Sequence, residues 1–452
     1  MTATYQRLLH SLDSPYAIYC ILGLGMILRL LALVVRAHLP LVSDASGYDA
    51  MALQLLHGER FSPYWPPGLP YYLAFAHGAL GPGAIVARAS MLCVYVACSF
   101  LLYGYGKLIS TRTAGNMAAL VFAIYPACIS CSVEPLTELP AATLILAIVW
   151  TASLACDQVS MGLSAFTGFL LGLLELVRPA SILLLIAAPL FFLLRTRKIC
   201  MALLCLVTAV ILLSSWLRKA HEMTGRFIWI NEANAMNFFL GNNPYTPLYK
   251  TWPGGQAELG FPDEFMAIFQ EIQSKPPATR DALYRRIALH HILSRPDLFA
   301  VRTFNRMRVY FAFPTFRATG LASHFQNGSS RGWMAAVLTC LNAVIYWPIM
   351  ILAIWSLFRR PQEWVKPGQC LLISGSVLLY SLPYWLVFSN PRLHFPVLPL
   401  FIILAAMLVA DFPSGSGAET IKVQLLSLRR RRALTLALAL FVYIQLEWAW
   451  IK

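Results

Sequence analysis

Apolar blocks of about 20 residues recur along this chain, the length an α-helix needs to cross the hydrocarbon core of a bilayer. The first runs from Ala17 to Val35 and carries a single charge, Arg29. The composition agrees: of 452 residues 58% are hydrophobic and 12% charged, where a soluble domain carries roughly a quarter charged. Inside a bilayer the backbone must satisfy its own hydrogen bonds, so segments of this kind are helices.

Eleven spans are predicted, at 17–36, 83–106, 113–130, 138–156, 162–177, 180–194, 199–217, 333–358, 368–387, 394–410 and 433–450. The stretch 162–194 also reads as a hairpin turning at Arg178-Pro179. The fold class is therefore an all-α polytopic membrane protein. The first block follows a polar start and lacks a small-x-small cleavage site, so it reads as a span and not as a cleaved leader.

Basic residues orient the spans. With the N-terminus inside, the short cytoplasmic segments hold fourteen: Arg7, Lys107, Arg112, Arg195, Arg197, Lys198, Arg359, Arg360, Lys366, Lys422 and Arg429 to Arg432. The short segments opposite hold five: Arg36, Arg60, Arg178, Arg392 and Lys452. That asymmetry places the N-terminus in the cytoplasm. It also accounts for much of the net charge of +15 and weighs against a nucleic-acid partner.

Three units follow. Residues 1–217 form a module of about seven spans with a long first outer loop at 37–82. Residues 218–332 form an outer segment, and 333–452 a module of about four spans. The outer segment contains amphipathic helices at Thr279–Leu293 and Asp297–Phe311, whose arginines and aromatics suit the membrane interface better than a separate globular domain. None of the ten cysteines falls between Arg218 and Gly332. They do not make a disulfide framework, and the lone CxxC at Cys128 and Cys131 reads as packing.

Two of only eight aspartates sit together in Ser43-Asp44-Ala45-Ser46-Gly47-Tyr48-Asp49, just past the first span. Asp44 there is either a general base or, with Ser43, the cap of a helix running to Leu56, and one residue can do both. Glu134 and Glu138 flank another outer loop, where a carboxylate either faces a cavity or is solvated at the interface. Arg178 and Arg392 each sit beside a proline at an outer span end. Each either snorkels or binds a phosphate through paired hydrogen bonds. Glu175, on the face of Arg178, is a candidate partner for it, and Arg29 is an intramembrane cation in need of one. There is no P-loop, GxGxxG, HExxH or DxD, which disfavours ATP-driven transport and nucleotide-sugar enzymes that use a metal.

In order along the chain stand Asp44-x-x-x-Tyr48-x-x-x-Ala52 ending in Gly58, Trp65-Pro66-Pro67, Thr137-Glu138, and Leu176-x-Arg178-Pro179. Leu240-Gly241-Asn242-Asn243-Pro244, Arg295-Pro-Asp-Leu-Phe299 and Arg392-Leu-His394-Phe-Pro396 follow. This series resembles the GT-C class of membrane glycosyltransferases, in particular the group of protein O-mannosyltransferases and lipid A aminoarabinose transferases. The resemblance implies a GT-C fold of about 11 transmembrane helices with amphipathic juxtamembrane helices on the periplasmic side. It implies an inner-membrane enzyme with a periplasmic active site, a polyprenyl-phosphate-linked sugar as donor, and an envelope lipid, glycan or protein as acceptor. Asp44 would be the general base, with Glu138 or Glu134 as the second acid. Arg392, Arg178 and His394 would hold the donor phosphate, and Tyr48, Asp49, Trp65, Asn242 and Asn243 would line the substrate cavity. No cofactor and no essential metal are expected.

The chain departs from the group twice. Trp65 stands where the aminoarabinose transferases have a lysine, and His394 where a second arginine is usual. Other readings are an O-antigen ligase or polymerase using a diphosphate-linked glycan, and a lipid-linked-sugar flippase. The second expects ionisable residues at mid-membrane and related halves, and neither is evident.

Overall fold

The computed structural model describes residues 3–248, 262–314, 328–358, 368–410 and 428–451, and among these every regular element is helical. The first helices are α1 (Ala3–Leu12), α2 (Ala17–Arg36), α3 (Asp44–Leu56), α4 (Gly68–Leu80), α5 (Ala84–Ile109), α6 (Arg112–Ile124) and α7 (Pro126–Cys131). Next are α8 (Glu138–Gln158), α9 (Met161–Val177), α10 (Leu184–Thr196), α11 (Ile199–Thr224), α12 (Ala233–Gly241), α13 (Asp263–Gln273), α14 (Pro277–Ser294) and α15 (Pro296–Tyr310). The last are α16 (Gly328–Phe358), α17 (Gln369–Leu386), α18 (Leu398–Ala410) and α19 (Leu428–Ile451), with 3-10 turns at Pro179–Ser181 and Pro391–Val397. Of the orienting charges, Arg359, Arg360, Lys366, Lys422 and Lys452 lie outside the described residues.

The chain is a multi-pass membrane protein. Eight described segments are long and apolar enough to cross a bilayer: Ala17–Arg36, Ala84–Ile109, Glu138–Gln158, Pro179–Thr196, Ile199–Thr224, Trp333–Phe358, Gln369–Leu386 and Pro391–Ala410. The count of eleven does not follow from length and hydropathy. Met161–Val177 is apolar but shorter, α19 is not among the eight, and the expected span 113–130 is broken at Pro126 into α6 and α7.

That break explains Arg29. Pro126 has no N–H to give the Phe122 carbonyl, and the extended Tyr125 (ψ 121°) carries Ala127 away from Ala123. Arg29 from α2 takes both stranded carbonyls, donating to Phe122 O at 3.0 Å and Ala123 O at 2.9 Å. Its guanidinium lies 3.5 Å from the centre of the Tyr95 ring. The intramembrane cation is thus a repair of a helix break, a task that otherwise falls to water or hydroxyl side chains.

Close backbone approach sets the rest of the bundle. A Cβ on Gly168 would come within 2.0 Å of the Cys205 carbonyl oxygen, so only glycine lets α9 and α11 lie this near. Ser164 Oγ then donates across the pair to Met201 O at 2.6 Å. Small residues and interhelical hydroxyls are how helices associate where lipid removes the hydrophobic drive. The segment Pro391–Ala410 is 89% buried, and α18 accordingly is apolar on every side, the pattern of a central helix.

α14 and α15 occupy the predicted stretches, but α12, α13 and α14 share a small core of their own around Phe239, Phe265 and Tyr284. The Phe239 ring stacks at 5.7 Å on Phe265 and at 5.0 Å on Tyr284. Leu289 and Leu293 of α14 and Val301 and Phe304 of α15 stay exposed outside this core.

Candidate functional site

Four helix ends converge at one end of the bundle, and three of them carry the charge their position favours. Asp44 opens α3 and Glu138 opens α8, placing carboxylates at the positive ends of helix dipoles. Arg178 closes α9, where a cation is favoured. Arg392 sits at the head of the 3-10 turn before α18, with its N–H donated to Asn390 Oδ1 at 3.0 Å.

These four side chains form one alternating chain of charge. Arg392 donates to Asp44 Oδ2 and its Nε lies 3.6 Å from Glu138 Oε1. The other oxygen of Glu138 lies 3.7 Å from Arg178 Nη1. Arg178 Nη1 also donates to Thr137 Oγ1 at 3.1 Å, and its Nε to the Tyr384 hydroxyl at 2.7 Å. Glu138 is 3% exposed, whereas Asp44 and Arg392 are 25% and 26% exposed. The Asp44–Arg392 pair is therefore the open end of the network, and Glu138 with Arg178 its buried end.

Asp44 is not a helix cap. Ser43, the residue before the helix, makes no side-chain cap bond, and its carbonyl accepts from Ser46 and Gly47 instead. Its φ of +55° with ψ of −134° is a costly backbone state for serine, of the kind held at functional sites by surrounding structure. The turn leaves the Asp44 carboxylate to Arg392.

Tyr48 lies one turn on and is buried. Burial pushes its phenol well above the ordinary range and the Asp44 carboxylate adds to the shift, so it is a neutral hydroxyl beside the acids. Its ring meets Trp65 at 4.8 Å. Trp65 in turn lies so close to Gly47 that a Cβ there would fall 2.4 Å from its indole nitrogen. The indole occupies this wall of the site.

Several expected residues are placed elsewhere. Glu134 bonds Arg36 and lies 3.7 Å from Arg88 Nε, so Glu138 is the acid of the network and Glu134 fastens the end of α2. Asp49 Oδ1 contacts His77 Nε2 at 2.8 Å, tying α3 to α4. His394 is buried, and its Nδ1–H donates to the Tyr310 carbonyl at 2.6 Å. The expected phosphate role thus meets a ring held on a backbone carbonyl and packed 5.3 Å from Tyr346. Asn242 and Asn243 build a loop: Asn242 donates to Leu386 O at 3.1 Å and accepts from Arg306, and Asn243 donates to Thr246 Oγ1 at 2.9 Å. Glu175 accepts from Ser181 Oγ at 2.7 Å and Trp229 Nε1 at 2.8 Å, and so does not partner Arg178.

Two contributors carried no signal in the sequence. Tyr384 is one of 19 tyrosines and lies inside an expected span; only the preceding Pro383 marks the helix end. Arg88 also lies within an expected span, yet it donates to the carbonyls of Arg36 (3.1 Å), Leu39 (2.7 Å) and Pro40 (3.2 Å). It closes the end of α2 and so fixes the start of the loop that bears Asp44. Among the described residues no group of three or more His, Cys, Asp or Glu is arranged to hold a metal.

No family model matches the chain, and no curated protein matches it. Several solved structures are similar to it. The oligosaccharyltransferase of Archaeoglobus fulgidus in complex with zinc and sulfate is 15% identical, with a TM-score of 0.48, over 95% of this chain and 52% of that one. The apo form of the same protein is 13% identical, with a TM-score of 0.46, over 88% of this chain and 51% of that one. ArnT from Cupriavidus metallidurans bound to undecaprenyl phosphate is 11% identical, with a TM-score of 0.45, over 88% of this chain and 77% of that one. The chain spans about half the length of the archaeal protein.

Proposed function

We propose that the chain is an inverting glycosyltransferase of the inner membrane, moving a sugar from a polyprenyl phosphate to a lipid, glycan or protein acceptor at the periplasmic face. The observation that supports this most is the single network of Asp44, Arg392, Glu138 and Arg178, assembled from four of the ordered motifs. Inversion and the donor class come from the resemblance of those motifs to the GT-C group.

In the reaction the acceptor oxygen attacks the anomeric carbon while the carbon–oxygen bond to phosphate breaks. Asp44, on the open side of the network, takes the acceptor proton. Negative charge grows on the departing polyprenyl phosphate, and Arg392 and Arg178 are fixed cations within reach of one another through Glu138. Because the arginines supply that charge, no divalent cation is assigned an essential role.

Purified protein in lipid, given labelled polyprenyl-phosphate sugars and envelope extract as acceptor, tests the reading. Transfer with release of polyprenyl monophosphate supports it. Transfer only from diphosphate-linked glycans, or none from any polyprenyl-phosphate sugar, overturns it.

A further inference from the structure

A cavity of about 370 Å³ lies beside the network, between the 3-10 turn that starts at Pro179, the loop before α12, and the end of α17. That is within the roughly 300–1,000 Å³ range of small-molecule sites. None of Tyr48, Asp49, Trp65, Asn242 or Asn243 lines it. Tyr384 does, and the same hydroxyl receives the hydrogen bond from Arg178 Nε. The cavity and the charged network therefore share a wall.

Its lining combines flat aromatic faces, Trp229 and Phe388, with polar groups from Asn231, Glu232 and Asn237. Trp229 is held rigidly, because its indole N–H is bonded to the buried Glu175 at 2.8 Å. Glu232 is fixed by Arg226 at 2.6 Å and by Ser62 at 2.7 Å. Asn231 is 6% exposed and donates to the Tyr64 carbonyl at 3.0 Å. Its Oδ1 is buried with no protein partner, a state that calls for a ligand or water to satisfy it.

We infer that this cavity binds a neutral saccharide unit, a deeper statement of the transferase reading on which it rests. A sugar ring offers an apolar face to the aromatics and hydroxyls that both donate and accept, which matches carboxamides and a carboxylate. A phosphate or carboxylate ligand fits poorly. It would meet two lining carboxylates, Glu232 and Asp281, against one lining arginine, Arg285, while Arg226 is already bonded to both acids.

Asn237 makes no side-chain hydrogen bond among the described residues, so Asn237→Phe fills the cavity without breaking one; Asn237→Ala is the milder companion. Binding of methyl glycosides of neutral hexoses, of a methyl hexuronide and of inorganic phosphate is measured by saturation-transfer NMR on protein in nanodiscs. The neutral glycosides are expected to bind wild type and to lose at least tenfold in affinity in Asn237→Phe. Binding of only phosphate or the hexuronide, or equal glycoside affinity in the filled variant, overturns the inference. In the transfer assay a rise in the acceptor KM assigns the cavity to the acceptor's sugar, and a rise in the donor KM to the donor's. If neither moves while transfer proceeds, the cavity inference fails and the transferase reading stands. Glycoside binding without any transfer in wild type leaves the cavity and removes the transferase reading.

Discussion

Arg392 bonds the Asp44 carboxylate while its Nε stays 3.6 Å from Glu138, joining residues 348 positions apart in the chain. In the proposed reaction a donor phosphate would compete with Asp44 for the same guanidinium. Donor arrival is therefore expected to release the Asp44 carboxylate from Arg392.

This competition predicts the behaviour of Arg392 variants. Arg392→Ala should raise the donor KM by ~10–100-fold, the loss of about 1.4–2.8 kcal/mol of charge-assisted bonding at ~1.4 kcal/mol per factor of ten. Arg392→Lys should recover part of it, lacking the paired geometry. Initial rates against donor concentration are the check, and an unchanged donor KM in Arg392→Ala contradicts the assignment.

Glu138 separates Arg178 from Arg392, so its removal leaves buried positive charge unbalanced. Glu138→Ala is expected to cost about 3–5 kcal/mol, the range for breaking a buried pair. Glu138→Gln keeps the side chain's shape but also loses the charge, and should fall between Ala and wild type. Thermal unfolding in detergent, with both variants side by side, measures the order.

Much of this site was legible because its acids and arginines lie at span ends, where few residues are charged. Asp44, Glu138, Arg178 and Arg392 carry their position in the sequence as a break in apolar periodicity. Pairing was not legible: Glu175 shares a helix face with Arg178 but turns to Ser181, in the turn after the helix, and to Trp229, brought from the loop before α12 only when the chain folds. The break at Pro126 inside the expected span 113–130 was not legible either. Hydropathy does not register a missing N–H, whereas the fold answers it with Arg29.

The repair by Arg29 can be tested by restoring the helix. Arg29→Leu should destabilise by ~1–3 kcal/mol for each carbonyl left unpaired. Pro126→Ala supplies the missing N–H and should recover part of that loss in the double variant. Additive losses in a double-mutant cycle by thermal unfolding would show that the two residues are independent.

The outer loop offers a pH test. Arg302 Nη1 donates to the Asn243 carbonyl at 2.9 Å and to His291 Nε2 at 2.8 Å. Burial, with Arg302 beside it, pushes His291 below its ordinary value of 6.5. A histidine with a lowered folded value stabilises the fold above about pH 6.5, and that stability declines as pH falls through the folded value. Protection factors for hydrogen exchange at residues 240–248, corrected for the intrinsic rate at each pH, should therefore fall below pH 6.5 in wild type. In His291→Gln, which cannot be protonated, that pH dependence should disappear.

The most direct measurement is single-turnover transfer by Asp44→Asn at saturating labelled polyprenyl-phosphate sugar, with donor binding measured separately. The amide is nearly the same size but cannot take a proton, so transfer should fall by 10²–10⁴-fold, the usual contribution of a positioned base, while the donor still binds. Transfer at the wild-type rate would contradict the placement of the general base at Asp44.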